Sequence, residues 1–182
     1  MNNMKIPSPY LADCPERDTF IFSKMIAAWG DLDGARILDM GCGTAPLAKL
    51  CYLYGKGIAY VGYDTHKMVI DNRIFIKEPP LGTWLREFPG DDNWDIAISI
   101  GIPSLASGGY KIIEDHKRIN PKLVVLETGY AREGASPIET MILIRDWYFQ
   151  RGYKCLSSDE LLIYKNNFPV PNRWVSVLRR EA

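Results

Sequence analysis

Two carboxylates and a pair of glycines carry the most specific chemistry in this sequence. Asp39 lies near the end of an apolar run, Ile37–Met40, two residues before Gly41, which Cys42, Gly43 and Thr44 follow. Asp64 ends a second run, Ile58–Tyr63. The interval from Gly41 to Asp64 is close to the roughly 20 residues that separate a glycine turn from the ribose-binding acid of a dinucleotide fold. Adjacent parallel strands put their carboxyl ends side by side, so Asp64 can accept both hydroxyls of a ribose lying across the first strand. Gly41 and Gly43 give the backbone freedom for a sharp reversal and a close ligand approach. Pro46 replaces the third glycine of a nucleotide turn, which makes a poor pyrophosphate cradle. A carboxylate at Asp39 suits the ammonium of a zwitterion better than a phosphate.

These groups need an alternating strand–helix scaffold. Ala35–Leu50 reads as a buried strand, a tight turn and a helix start, with Thr44 as a cap and Pro46 in the first turn. A helix from Pro15 or Asp18 to about Trp29 precedes it, with Phe20, Ile21, Met25, Ile26 and Trp29 as its apolar stripe. After a second strand at Ile58–Tyr63, a short helix over Thr65–Asn72 and a third strand at Arg73–Lys77 are preferred. The alternative register places the third strand near Leu85–Phe88, with Glu87 or Asp91 at its end. Trp94–Ile100 is a fourth strand, Tyr110–Ile119 a helix and Lys122–Leu126 a fifth strand. Ser136, Pro137 and Glu139 open a long helix that Gly152 stops. A closing hairpin pairs Tyr153–Leu156 or Leu161–Tyr164 with Trp174–Leu178.

The D-x-G-x-G-T turn and the V-G-Y-D strand end together resemble the class I S-adenosylmethionine-dependent methyltransferases, over roughly residues 15–180. That resemblance implies a Rossmann-like α/β domain. Its seven-stranded sheet has the order 3-2-1-4-5-7-6, with strand 7 antiparallel and helices on both faces. It implies S-adenosylmethionine as cofactor and S-adenosylhomocysteine as product. Asp39, Gly41, Cys42, Gly43 and Thr44 would line the methionine moiety, Asp64 the ribose, and Thr65 and Glu78 the adenine, with Ser99 beside them. Arg17 or Lys24 is a candidate for the cofactor carboxylate, against the plainer reading of both as solvated cations. The whole chain, 1–182, is read as one such domain, with an N-terminal extension and helix over 1–34 and the core over 35–182.

The acceptor side is less legible. The [DNS]-P-P-[YFW] signature of the family members that methylate amino groups of DNA bases and some glutamines, which holds a planar amine, is replaced by Ser99-Ile100-Gly101-Ile102-Pro103. Methylation of DNA base amines therefore loses support. Ser104 and Ser107 are small and polar, suited to a pocket or to a plain loop. Glu127, at the end of the fifth strand, is the candidate substrate-facing acid or base, and Tyr130 and Arg132 share its loop. His66 and His116 are expected at the surface. Methyl transfer from a sulfonium needs positioning above all, so no triad or metal set is required.

Bulk composition bounds the classes. Of 182 residues, 22 are Lys or Arg and 22 Asp or Glu, so net charge offers no footprint for nucleic acid. No apolar run approaches the roughly 20 residues that span a bilayer, and the N-terminus lacks a signal-peptide core. Cys14, Cys42, Cys51 and Cys155 form no metal-binding spacing and read as reduced thiols of a cytoplasmic protein, with no metal site. The expected function is methyl transfer to an unidentified acceptor, RNA or protein, or alternatively a small molecule. A second reading is an inactive methyltransferase-like binding module acting through a partner. A third, a nicotinamide-dependent oxidoreductase, is disfavoured by Asp39 and Pro46.

Overall fold

A computed structural model describes residues 15–43, 45–65, 82–90, 93–128, 136–165 and 168–181. Its centre is a seven-stranded sheet: β1 (Arg36–Met40), β2 (Ala59–Tyr63), β3 (Thr83–Leu85), β4 (Ile96–Ile102), β5 (Leu123–Thr128), β6 (Tyr153–Lys165) and β7 (Phe168–Arg180). Their spatial order is β3-β2-β1-β4-β5-β7-β6. β1 to β5 pair in parallel, and β7 lies antiparallel to both β5 and β6. The order reverses between β1 and β4, which leaves a crevice at their carboxyl ends.

Among the described residues, four α-helices cover the sheet. On one face, α1 (Pro15–Trp29) and α2 (Pro46–Tyr54) bury Ile21, Phe22, Met25, Leu47, Ala48 and Cys51 against Ile37, Ile96, Ile98, Val125 and Val177. On the other, α3 (Gly109–Lys117) and α4 (Pro137–Phe149) bury Ile113, Met141, Ile144 and Tyr148 against Val124, Leu126 and Leu178. β5 is buried along its whole length, as its unbroken apolar run requires of a strand covered on both faces. Among the described residues, no helix is long and apolar enough to cross a membrane.

Several expectations shift. The strand paired with β2 is Thr83–Leu85, close to the alternative register rather than the preferred one. Arg73–Lys77 and Asp91 lie outside the described residues. β4 runs two residues beyond Ile100, through a register break against β5 between Ser99 and Ile102. Gly101 lies inside that break at φ +74°, a backbone conformation that glycine adopts without strain. Ser136 is the N-cap of α4, but its side chain makes no capping bond. Ile142 on that helix is 43% exposed despite its apolar side chain.

The closing hairpin is one long pair of strands. β5 pairs with β7 from Leu123–Arg179 to Glu127–Val175. β6 and β7 continue pairing with each other from Glu160–Trp174 to Lys165–Phe168. At roughly 3.3 Å per residue, the hairpin overhangs the carboxyl edge of β5 by about 15–20 Å.

Candidate functional site

The glycine turn folds back onto the end of β2. Gly41 N–H donates to the Tyr63 carbonyl at 2.7 Å, and Cys42 N–H donates to the same oxygen at 3.1 Å. Gly43 N–H donates to Asp64 Oδ2 at 3.0 Å. Gly41 and Gly43 have φ of +69° and +49°, so the reversal uses left-handed backbone at both positions. Ala45 also has positive φ, +46°, at the N-cap of α2. The chain thus departs from glycine at Ala45, one residue before the position singled out in the sequence, and an L side chain there carries backbone strain.

Asp39 and Asp64 reach the same edge from adjacent strands. Asp39 pairs in register with Gly62, and Asp64 follows the last residue of β2. Asp39 is 1% exposed, and its Oδ2 accepts the Tyr60 hydroxyl at 2.5 Å. Asp64 is also buried, with its backbone N–H on the Leu85 carbonyl at 3.1 Å. Asp39, Gly62 and Trp84 form one row across β1, β2 and β3. A Cβ on Gly62 would stand 2.3 Å from the Trp84 ring, so the indole occupies the space above that glycine. Cys42 is buried in the same layer, and Thr65 is exposed just past Asp64. Thr44 and Glu78 lie outside the described residues, as do His66, Tyr130 and Arg132.

Burial sets the proton chemistry beneath the turn. It pushes the Tyr60 phenol well above its ordinary value, with the Asp39 charge acting in the same direction. Burial, then Asp39, pushes the Cys51 thiol up to about 12. Both groups stay protonated, so Tyr60 is a permanent donor to Asp39.

Ser99 is not brought to the glycine turn. Asp39 pairs with Ile98, and side chains alternate along a strand, so Ser99 points to the opposite face of the sheet. There its hydroxyl lies 3.0 Å from His116 Nε2, and His116 Nδ1 lies 3.0 Å from the Tyr148 hydroxyl. The surface position expected for His116 is corrected: it is fully buried on α3. It follows Ile112 and Ile113 at helical spacing, and those residues already face inward. Burial lowers its pKa to about 3, so it is a neutral core histidine.

Glu127 reaches the carboxyl edge of β5, but its side chain is wholly buried rather than solvated. Its Oε2 accepts the Gly101 N–H at 2.8 Å, and its Oε1 pairs with Arg173 on β7. Arg173 Nε in turn donates to the Thr128 carbonyl at 3.1 Å. Burial raises the Glu127 carboxyl above its ordinary range, opposed by the nearby charges of Arg173 and Arg17. Arg17 is buried and paired with Asp18 at 2.7 Å, not a solvated cation. Lys24 is half-buried and pairs with Asp159 at 2.9 Å. Arg173 and the Gly101 bulge escape a local reading of the sequence. The Ile-Gly-Ile interruption in an apolar strand was the available signal for the bulge.

Among the described residues, no group of His, Cys, Asp and Glu could hold a metal, and Cys42, Cys51 and Cys155 are free thiols. The donor set fits a nucleoside carrying an amino-acid group. Asp39 and Asp64 are carboxylates, a type of acceptor suited to an ammonium or to a pair of hydroxyls, and the glycine turn lies between them.

No family model matches this chain, and no curated protein sequence does. Solved structures do match. A magnesium protoporphyrin IX methyltransferase from Synechocystis PCC 6803, solved with bound SAM, is 12% identical with a TM-score of 0.65. The match covers 99% of this chain and 87% of that one. A putative RNA methyltransferase from Pyrococcus horikoshii is 14% identical with a TM-score of 0.66, covering 100% and 94%. A precorrin-6y C5,15-methyltransferase from Geobacter metallireducens is 13% identical with a TM-score of 0.62, covering 94% and 90%. The strand order, the antiparallel β7 and these three superpositions together show that the chain has the class I methyltransferase fold.

Proposed function

We propose that this chain is an S-adenosylmethionine-dependent methyltransferase. The observation that carries the reading is the glycine turn closed on β2, with Gly43 N–H on the Asp64 carboxylate at the point where strand order reverses. In this reading Gly41, Cys42 and Gly43 form the wall against the methionine moiety, and Asp39 faces its ammonium. Asp64 accepts the ribose hydroxyls; a carboxylate offers about four acceptor sites, so its bond to Gly43 leaves room for them. Thr65 and Glu87 stand at the adenine end, past the ends of β2 and β3, with Glu78 as a further candidate, and Thr44 stays with the methionine moiety. The bound cofactor supplies an electrophilic methyl on a sulfonium, and the chain supplies orientation.

The acceptor in this reading is an RNA or a protein. The overhanging β6–β7 hairpin supports it, because it extends the sheet beyond the carboxyl edge of β5, where a large acceptor would lie. The matched structures include a putative RNA methyltransferase, alongside enzymes named for tetrapyrrole-type acceptors.

Calorimetric titration with S-adenosylmethionine and S-adenosylhomocysteine tests the cofactor. Micromolar binding is expected, weakened by about 1–3 kcal/mol in Asp64→Ala, the usual cost of leaving buried polar partners unpaired. Binding of neither ligand by the wild type would end the reading. Labelled methyl transfer into RNA or protein extracts then tests the acceptor class, and label appearing only in small molecules would reassign it.

A further inference from the structure

We propose that Tyr60 is a positioning residue for ligand binding: it sets the orientation of the Asp39 carboxylate that receives the ammonium of a nucleoside carrying an amino-acid group. The inference rests on the cofactor reading above and adds a residue that the glycine-turn motif does not contain.

A buried carboxylate is costly unless its oxygens are hydrogen-bonded. Asp39 is 1% exposed and sits at the end of a strand covered on both faces. Tyr60 meets part of that need by donating to Oδ2 at 2.5 Å. The donor comes from the neighbouring strand: Tyr60 pairs in register with Ile37, and its ring crosses to the next row, where Asp39 faces Gly62. Because Gly62 has no side chain, the Trp84 ring covers that position, and the Tyr60 and Trp84 centroids are 6.0 Å apart. Tyr60 itself is 1% exposed, so the packing that holds its ring also holds the hydroxyl. A short acid fixed by a rigid donor is preorganised, and none of the binding energy goes into turning it.

The layer's charge pattern agrees. Cys51 and Tyr60 both stay neutral, so they do not compete with Asp39 for a cation. Tyr60 is therefore placed to affect the amino-acid half of the ligand, while Asp64, on the far side of the turn, serves the nucleoside half.

That division makes the test specific. The full chain is titrated calorimetrically with S-adenosylhomocysteine and with 5′-methylthioadenosine, which keeps the nucleoside thioether and lacks the amino-acid group. Tyr60→Phe removes one oxygen and keeps the ring against Trp84. It is expected to weaken S-adenosylhomocysteine about tenfold, in the range for loss of a hydrogen bond to a charged group. It should leave 5′-methylthioadenosine within about twofold, because that ligand makes no demand on the amino-acid subsite. Asp39→Asn should show the same split, and adding Tyr60→Phe to it should weaken binding little further. Equal weakening of both ligands, or no weakening of either, overturns the proposal. Wild-type binding of neither ligand overturns the nucleoside reading itself, a distinct outcome. If Tyr60→Phe does not fold, fluorotyrosine at position 60 replaces it. A changed ratio of the two affinities then supports the proposal, and an unchanged ratio overturns it.

Discussion

The Glu127 carboxylate accepts the Gly101 N–H at 2.8 Å and thereby ties the end of β5 to the bulge through which β4 leaves the sheet. The shape of the bulge is held by a charge rather than by ladder pairing. Arg173 completes the arrangement from the antiparallel β7, so three strands meet at one buried ion pair.

Removing one partner of a buried pair leaves the other uncompensated. Glu127→Ala should therefore cost about 3–5 kcal/mol in urea unfolding, since Arg173 would remain buried without its counter-charge. Glu127→Gln should cost less, because its carbonyl can still accept the Gly101 N–H. A loss below about 1 kcal/mol for the alanine variant would contradict the assignment of the pair as the holder of the bulge.

His116 should make the fold acid-sensitive. Its pKa is about 3 in the folded chain against an ordinary 6.5, so the unfolded state binds the proton more readily. Its contribution is complete above about 6.5 and is lost as pH falls toward 3, at about 1.4 kcal/mol per unit of pH over that window. Urea midpoints measured from pH 7 to 4 should fall with that slope in the wild type, and His116→Gln should flatten it. Parallel curves for the two proteins would show that another group governs acid stability.

Ser99 separates a core role from a ligand role. Ser99→Ala leaves His116 Nε2 without its partner and should destabilise by about 1–3 kcal/mol. Its hydroxyl lies on the face of β4 away from Asp39, so S-adenosylhomocysteine affinity should stay within about twofold. A tenfold loss of affinity with unchanged melting would return Ser99 to the ligand.

Gly62 is required for space. An added Cβ would meet the Trp84 ring at 2.3 Å and the Cys42 sulfur at 3.0 Å. Gly62→Ala should cost about 1–3 kcal/mol through overpacking. The double variant with Trp84→Leu should recover part of that loss, and strict additivity of the two substitutions would argue against the clash.

What the sequence determined by itself is local chemistry. Apolar runs such as Leu123–Leu126, the glycines at 41 and 43, and an acid at each of two strand ends are statements about neighbours along the chain. They were enough to place β1, the turn and β2, while the strand order followed from the family resemblance those motifs carry. Helix α1 was legible for the same reason, since Ile21 and Met25 fall one turn apart on the side it buries.

Only the tertiary structure decided which way individual polar side chains face and what they meet. Asp39 near the end of β1 and Ser99 in the middle of β4 lie on neighbouring strands, yet register and the two-residue alternation send them to opposite faces. His116 is interior because α3 turns it toward Tyr148, a partner 32 residues away. Glu127 is a buried anchor because β7 inserts antiparallel and delivers Arg173 from 46 residues further along the chain. The third strand, Thr83–Leu85, is a three-residue run paired with β2 at the edge of the sheet, and such pairing leaves little trace in so short a run. Such pairings depend on contacts distant in sequence, so the same residue types admit several arrangements until the sheet is assembled.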